Sequence, residues 1–249
     1  MNKERVQSFD ILSNQIIAKD VYKMCLKGDT SWIKRPGQFI NIDFENAYLK
    51  RPISISDYDD NQLVIIYKVV GFGTRAMSLK KPGDTLTALV DLGNGFEIMD
   101  EQQVLLVGGG VGVPPLYGLA KRLLEKGKEV SVVLGFTSKD DVFYQEEFEA
   151  LGCKVYLSTN DGSAGEKGFV TDVILKQGLQ NLAYYACGPE VMLKALAHTS
   201  TSHGLLSFEA RMGCGFGACM GCSCKTLTGY KRICVEGPVM DSREILWKD

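Results

Sequence analysis

Five of the chain's eight cysteines fall between Cys214 and Cys234. Cys214-Gly-Phe-Gly-Ala-Cys219-Met-Gly-Cys222 sets three thiols at C-x4-C-x2-C, and Cys234 adds a fourth after eleven intervening residues. Four thiolates converging from one tight loop suit a flat [2Fe–2S] cluster, and this spacing is one that such clusters use. Gly213, Gly215, Gly217 and Gly221 let the backbone wrap closely and turn N–H groups towards sulfur. Those N–H groups stabilise an anionic cluster and raise its potential. The competing ligand is a structural zinc ion. Zinc sites show two paired C-x2–4-C knuckles, and Cys222 and Cys234 stand too far apart to make the second. Cys224 reads as a small buried side chain near the site, not a fifth ligand.

Two further stretches could hold phosphates or a nicotinamide. Gly108-Gly109-Gly110-Val111-Gly112-Val113-Pro114-Pro115 follows a continuous apolar run, Val104-Leu105-Leu106-Val107, and precedes a helical pattern. Glycines let backbone approach a pyrophosphate, and a helix start offers N–H donors. The run departs from the full G-x-G-x-x-G fingerprint at Pro115, so a plain tight turn is its alternative. Cys187-Gly188-Pro189 follows a second apolar strand, where parallel sheets bind ligands; alone it could be a turn with a buried cysteine. In the first third of the chain, Arg51-Pro52-Ile53-Ser54 pairs a guanidinium that can fork onto phosphate with a hydroxyl that can reach a flavin. Its alternative is an edge strand entered through proline. Gly73-Thr74 opens a short helix expected from Thr74, either as a second phosphate site or as an ordinary N-cap.

The elements that must position these residues fall into three parts. Residues 6–99 read as short strands separated by Arg35-Pro36-Gly37, Asp59-Asp60-Asn61 and Lys81-Pro82-Gly83-Asp84, the pattern of a small antiparallel barrel. From residue 101 strands and helices alternate, with strands at 104–107, 130–134, 154–158 and 183–186 and helices at 115–126, 142–150, 170–176 and 190–199, so the sheet should be parallel. From Ser207 neither periodicity continues. The expected domains are 1–100, 101–206 and 207–249. A length of 249 residues suggests about two domains, each able to bury a core of its own. A net charge of −2 with no long basic run gives nucleic acid no footprint, and no apolar run reaches membrane-spanning length. The charged N-terminus lacks a signal-peptide core, so a cytoplasmic chain with metal-bound or redox thiols is expected. His198 and His203 lack metal-ligand spacing. Lys80-Lys81 and Asp140-Asp141 read as solvated.

In order, Arg-Pro-x-Ser, Gly-Gly-Gly-x-Gly-x-x-Pro and Cys-Gly-Pro resemble the ferredoxin–NADP reductase superfamily. The cysteine tail narrows the resemblance to the iron–sulfur electron-transfer subunits of NAD-dependent, B-type dihydroorotate dehydrogenases. The stretch from Arg211 to Val239 carries the most specific part, and the resemblance spans essentially the whole chain. It implies that Arg51, Pro52, Ile53, Ser54, Ile66, Tyr67, Lys68, Gly73 and Thr74 bind FAD. It implies that Gly108, Gly109, Gly110, Gly112, Pro114, Cys187, Gly188 and Pro189 bind NAD. Cys214, Cys219, Cys222 and Cys234 would bind the [2Fe–2S] cluster. One departure stands out: the family usually has Gly-Pro before Leu-Gly-Asn-Gly-Phe, and Val90-Asp91 stands there instead.

Electron counting orders these groups. NAD exchanges electron pairs and the cluster single electrons, so FAD must stand between them. A (β/α)8 barrel hosting FMN and dihydroorotate needs about 250 residues of its own, so that centre belongs on a partner. The resemblance implies a partner FMN-containing catalytic subunit, in a heterotetramer of two plus two chains, working in pyrimidine biosynthesis. Two alternatives remain: the small subunit of an NADH-dependent ferredoxin–NADP oxidoreductase or sulfide dehydrogenase, or a zinc-stabilised binding module. Asp140 and Asp141, after the second parallel strand, argue for NAD over NADP by repelling a 2′-phosphate, with Lys139 opposing them.

Overall fold

A computed structural model describes residues 5–44 and 49–247. Its first part is a closed antiparallel barrel of β1 (Val6–Ala18), β2 (Val21–Lys27), β3 (Phe39–Ile42), β4 (Arg51–Tyr58), β5 (Gln62–Lys68) and β6 (Thr85–Leu92), in the order β1-β2-β5-β4-β3-β6. Strand alternation fills the interior: Phe9, Ile11, Met24, Leu26, Ile40, Ile42, Leu63, Ile65 and Tyr67 are all essentially inaccessible. β3 departs from alternation because Phe39 and Asn41, on its outer face, are also buried. Something covers that face, and the C-terminal module does so. Helix α1 (Phe72–Ser78) begins two residues before Thr74, the start expected from sequence. Thr74 lies inside the first turn, and its hydroxyl accepts hydrogen bonds from the N–H groups of Val70 (2.9 Å) and Gly71 (3.2 Å). Asp91 adopts a φ of 54°, which a proline ring cannot take. The strand exit therefore turns differently from one carrying Gly-Pro.

The second part is a largely parallel sheet. β7 (Gln103–Gly109), α2 (Pro114–Glu125), β8 (Glu129–Phe136), α3 (Gln145–Ala150), β9 (Lys154–Thr159), β10 (Glu166–Lys167), α4 (Val170–Lys176), β11 (Ala183–Cys187), α5 (Glu190–Thr199) and β12 (Gly204–Ser207) follow in sequence. The sheet order is β10-β9-β8-β7-β11-β12-β15, where β15 (Val239–Asp241) is antiparallel and comes from the tail. The chain steps outward from β7 on one side and returns to β11 on the other. That reversal opens a crevice at the carboxyl ends of β7 and β11. The helix expected over 142–150 is shorter: Lys139–Asp141 is a 3-10 turn, Tyr144 has a φ of 66°, and only Gln145–Ala150 is α-helical. Packing wins here over local pattern. Phe143 stacks edge-on to Phe136 at 5.3 Å, and Tyr144 meets Tyr117 at 5.0 Å.

The tail, where neither periodicity continues in the sequence, forms the hairpin β13 (Ser223–Thr226) and β14 (Gly229–Arg232) as well as β15. Strands this short carry too few alternations to register as a period. Asn94, just past β6, ties the tail to the barrel. Its Nδ2 donates to the carbonyls of Glu236 (3.1 Å) and Val239 (2.7 Å), and its Oδ1 accepts from the Val239 N–H (3.1 Å). Among the described residues no helix is long and apolar enough to cross a membrane.

Candidate functional site: a cysteine loop, a barrel face and a sheet cleft

The cysteine loop wraps as its glycines require. Gly215 and Gly217 take φ values of 79° and 89°, and Met220 one of 60°. The N–H groups of Ala218 (3.2 Å) and Cys219 (3.4 Å) point at Cys214 Sγ, and that of Gly221 (3.5 Å) at Cys219 Sγ. Desolvation would raise the Cys214 pKa, but these backbone donors and the Cys219 thiol bring it down to about 6. Cys234 goes the other way, to about 12, through burial and the adjacent Cys222. Arg232 holds the loop by donating to the Gly217 carbonyl at 2.8 Å while pairing with Glu236. Cys214 interacts with Cys219, and Cys234 interacts with Cys222 and, more weakly, with Cys214. Among the described residues no three His, Cys, Asp or Glu side chains are gathered for one ion. Four thiols held on one loop with backbone N–H groups aimed at sulfur fit two irons sharing four thiolates. Cys224 is half-buried on β13, more open than expected from sequence.

On the barrel face, two distant stretches converge. A Cβ placed on Gly73 would fall 2.8 Å from Arg51 Nε, so the guanidinium lies directly against the start of α1. Arg51 also donates to the Leu49 carbonyl. Phe39, paired with Ser54, and Asn41, paired with Pro52, lie on the outer face of β3 and β4. β5 splits by alternation. Tyr67 points into the barrel, stacked on Tyr22 and donating to Asn14 Oδ1 at 2.9 Å. Ile66 and Lys68 face out towards the parallel sheet. Any role of Tyr67 towards a flavin is therefore confined to its backbone.

The sheet crevice holds a cleft of about 470 Å³, lined by Gly109, Gly110, Gly135, Phe136, Pro189 and Met192, with Lys68 and Asp141 at one side. Its two turns press backbone on backbone: a Cβ on Gly112 would fall 2.3 Å from the Cys187 carbonyl oxygen. Gly110, with φ of 51°, has nothing within 4 Å of its Cβ position. Cys187 is buried, and burial, with a smaller effect from Glu209, pushes its thiol up to about 12. Asp141 corrects the sequence reading, which left it solvated. Lys68 Nζ reaches it at 3.0 Å and Ser138 Oγ at 3.1 Å. Burial alone would raise its pKa, but those bonds hold it below the ordinary carboxylate value. Asp140 stays exposed. His198 is exposed, and His203 pairs with Glu101 at 3.3 Å.

Sequence reasoning missed three residues here. Asn94 lies in the Leu-Gly-Asn-Gly-Phe stretch, but nothing local tells that its amide reaches the tail. Glu209 keeps surface open to solvent yet lies near enough to Cys187 to act on its thiol, and burial of its carboxyl raises its pKa. Asn41, in the apolar Phe39–Ile42 run, is fully buried, and neither side-chain atom has a partner among the described residues.

Two family models match: the iron-sulfur cluster binding domain of dihydroorotate dehydrogenase B over residues 209–246, and the oxidoreductase NAD-binding domain over residues 106–198. A Fusobacterium nucleatum protein named as the electron transfer subunit of dihydroorotate dehydrogenase B (NAD(+)) is 47% identical, over 94% of this chain and 96% of its own length. A Bacillus velezensis protein of the same name is 46% identical, over 94% and 96%. Among solved structures, a chain of an NADH-dependent reduced ferredoxin-NADP oxidoreductase superposes with a TM-score of 0.88 at 33% identity, covering 96% of this chain and 90% of that one. A Neisseria gonorrhoeae ferredoxin NADP+ reductase with bound FAD and NADP shares the fold, with a TM-score of 0.66 at 14% identity over 78% of this chain and 90% of that one.

Proposed function

The chain belongs to the family of dihydroorotate dehydrogenase B electron transfer subunits, and we propose that it conducts electrons from a flavin-containing partner to NAD+ through the cysteine loop, the barrel face and the sheet cleft, in that order. One observation supports this order above the rest. The three sites adjoin: Asn41 on the barrel face abuts Gly215 of the cysteine loop, and Lys68 reaches from the same barrel into the cleft to meet Asp141. When bound, NAD supplies hydride exchange, [2Fe–2S] one-electron exchange, and FAD both.

The residues divide accordingly. Cys214, Cys219, Cys222 and Cys234 ligate the cluster, and the N–H groups of Ala218, Cys219 and Gly221 lower the charge borne by sulfur. Arg51, against Gly73, receives the FAD pyrophosphate; the outer face of Pro52–Ser54 and the backbone of Ile66–Lys68 hold the flavin ring. The Gly108–Pro114 turn and Cys187-Gly188-Pro189 receive the NAD, with Gly110 giving the backbone access. The overall reaction is (S)-dihydroorotate + NAD+ → orotate + NADH + H+, a step of pyrimidine biosynthesis. The dihydroorotate site and its FMN belong to the partner, in an assembly of two copies of each chain in the cytoplasm. Phe216 and Met220 on the loop, with Leu227 and Tyr230 on the hairpin, are exposed and apolar and would meet that partner. Met212, two residues before Cys214, packs inward. A relative at 33% identity, from a differently named complex, has the same three-part chain. The companion chain therefore tells the readings apart. Purification of the native complex should yield an FMN protein that oxidises dihydroorotate; recovery of a ferredoxin- or sulfide-linked flavoprotein instead would overturn the assignment of substrate.

A further inference from the structure

Asn41 is the one polar side chain in the run Phe39–Ile42, and its relative exposure is 0%. Neither Nδ2 nor Oδ1 has a hydrogen-bond partner among the described residues. A buried carboxamide without partners is destabilising, and such groups in folded proteins point to a partner the chain itself does not supply. The position shows which partner. Asn41 lies on the outer face of β3, opposite Pro52 of the proposed flavin-binding stretch. A Cβ on Gly215 would fall 2.5 Å from Asn41 Nδ2, so the amide abuts the residue that follows Cys214. Gly215 has a φ of 79° and no space for a side chain, which lets the loop come this close. Sulfur atoms of an anionic cluster accept hydrogen bonds and donate none, so the free NH2 of Asn41 matches them in kind.

We propose that the Asn41 carboxamide donates a hydrogen bond to a sulfur of the [2Fe–2S] cluster on its Cys214 side and sets the cluster's potential at the junction with FAD. Added donors to cluster sulfur raise the potential by stabilising the more negative, reduced state. The barrel that carries the flavin thereby also tunes the cluster it exchanges electrons with. This rests on the cluster reading of the four cysteines. Iron and acid-labile sulfide in the unaltered complex test that reading separately.

The test uses the purified complex of this chain with its partner, comparing unaltered protein with Asn41→Leu and Asn41→His by redox titration followed by EPR. In Asn41→Leu, with iron and FAD contents full, the cluster's reduction equilibrium should shift towards the oxidised form by up to about tenfold, or about 59 mV for one electron. Asn41→His, which keeps a donor, should recover most of that shift. An unchanged cluster potential in Asn41→Leu would overturn the proposal. So would equal shifts in both variants, which would signify packing alone, or a shift in the FAD potential instead of the cluster's. Should Asn41→Leu fail to assemble, unaltered protein carrying asparagine labelled with 15N in its side chain decides: pulsed EPR of the reduced cluster should detect a weakly coupled side-chain nitrogen, and its absence would count against the hydrogen bond.

Discussion

Gly110 and Gly112 stand two positions apart in one turn and serve opposite ends. Gly112 has no room for a Cβ because the Cys187 carbonyl lies against it, so it locks the two turns of the cleft together. Gly110 faces open space and leaves the cleft accessible. Gly110→Val should therefore weaken NADH binding by about tenfold or more, ~1.4 kcal/mol, with FAD and iron contents intact; titration calorimetry on the purified chain checks this. Cys219 separates the cluster from the flavin in the same way. Cys219→Ser should lose most of the iron while FAD still binds, since Arg51 and Gly73 lie on a different element. Normal iron and full electron delivery to the partner would remove Cys219 from the ligand set. The expected preference for NAD(H) over NADP(H) would rest on Asp140, because Asp141 is committed to Lys68. Asp140→Ser should narrow that preference, read as the ratio of kcat/KM for NADH and NADPH.

At the scale of elements, the tail's attachment to the barrel depends on Asn94. Asn94→Ala removes three hydrogen bonds to residues 236–239 and should cost about 1–3 kcal/mol. At roughly 2–4 °C per kcal/mol for a chain of this size, differential scanning calorimetry should show the fall, and iron should be lost before FAD. The barrel, the alternating sheet and the glycine turns were legible because their signals are local: period-two strands, a continuous apolar run before Gly108, thiols at C-x4-C-x2-C. α4 and α5 match their expected bounds for the same reason. What stayed hidden is non-local. The helix expected over 142–150 gave way to ring packing among Phe136, Phe143, Tyr144 and Tyr117. β15 pairs with a strand more than thirty positions earlier, and its three residues hold no period. At the sites, the cysteines and glycine turns were readable as types at spacings. Asn41 was not, because an asparagine between isoleucines says nothing of the loop that closes over it.

On the proposed route, single electrons enter the molecule at the cysteine loop and leave as hydride in the cleft. The molecule needs a second chain to give those electrons a source. The loop shows Phe216 and Met220 outward, and the hairpin exposes Leu227 and Tyr230. Phe216→Glu should weaken association with the catalytic chain, measured by analytical ultracentrifugation, far more than it slows NADH oxidation by the isolated chain. The most direct measurement is reconstitution: NAD+-linked dihydroorotate oxidation by this chain alone, by this chain with its catalytic partner, and by Cys219→Ser with the partner. The isolated chain is expected to pass electrons from NADH to artificial acceptors yet leave dihydroorotate untouched. The partner should restore NAD+-linked oxidation, and Cys219→Ser should abolish it while keeping NADH oxidation by small acceptors. Oxidation of dihydroorotate by the isolated chain, or full NAD+-linked turnover through Cys219→Ser, would contradict the route from partner through cluster and flavin to NAD+.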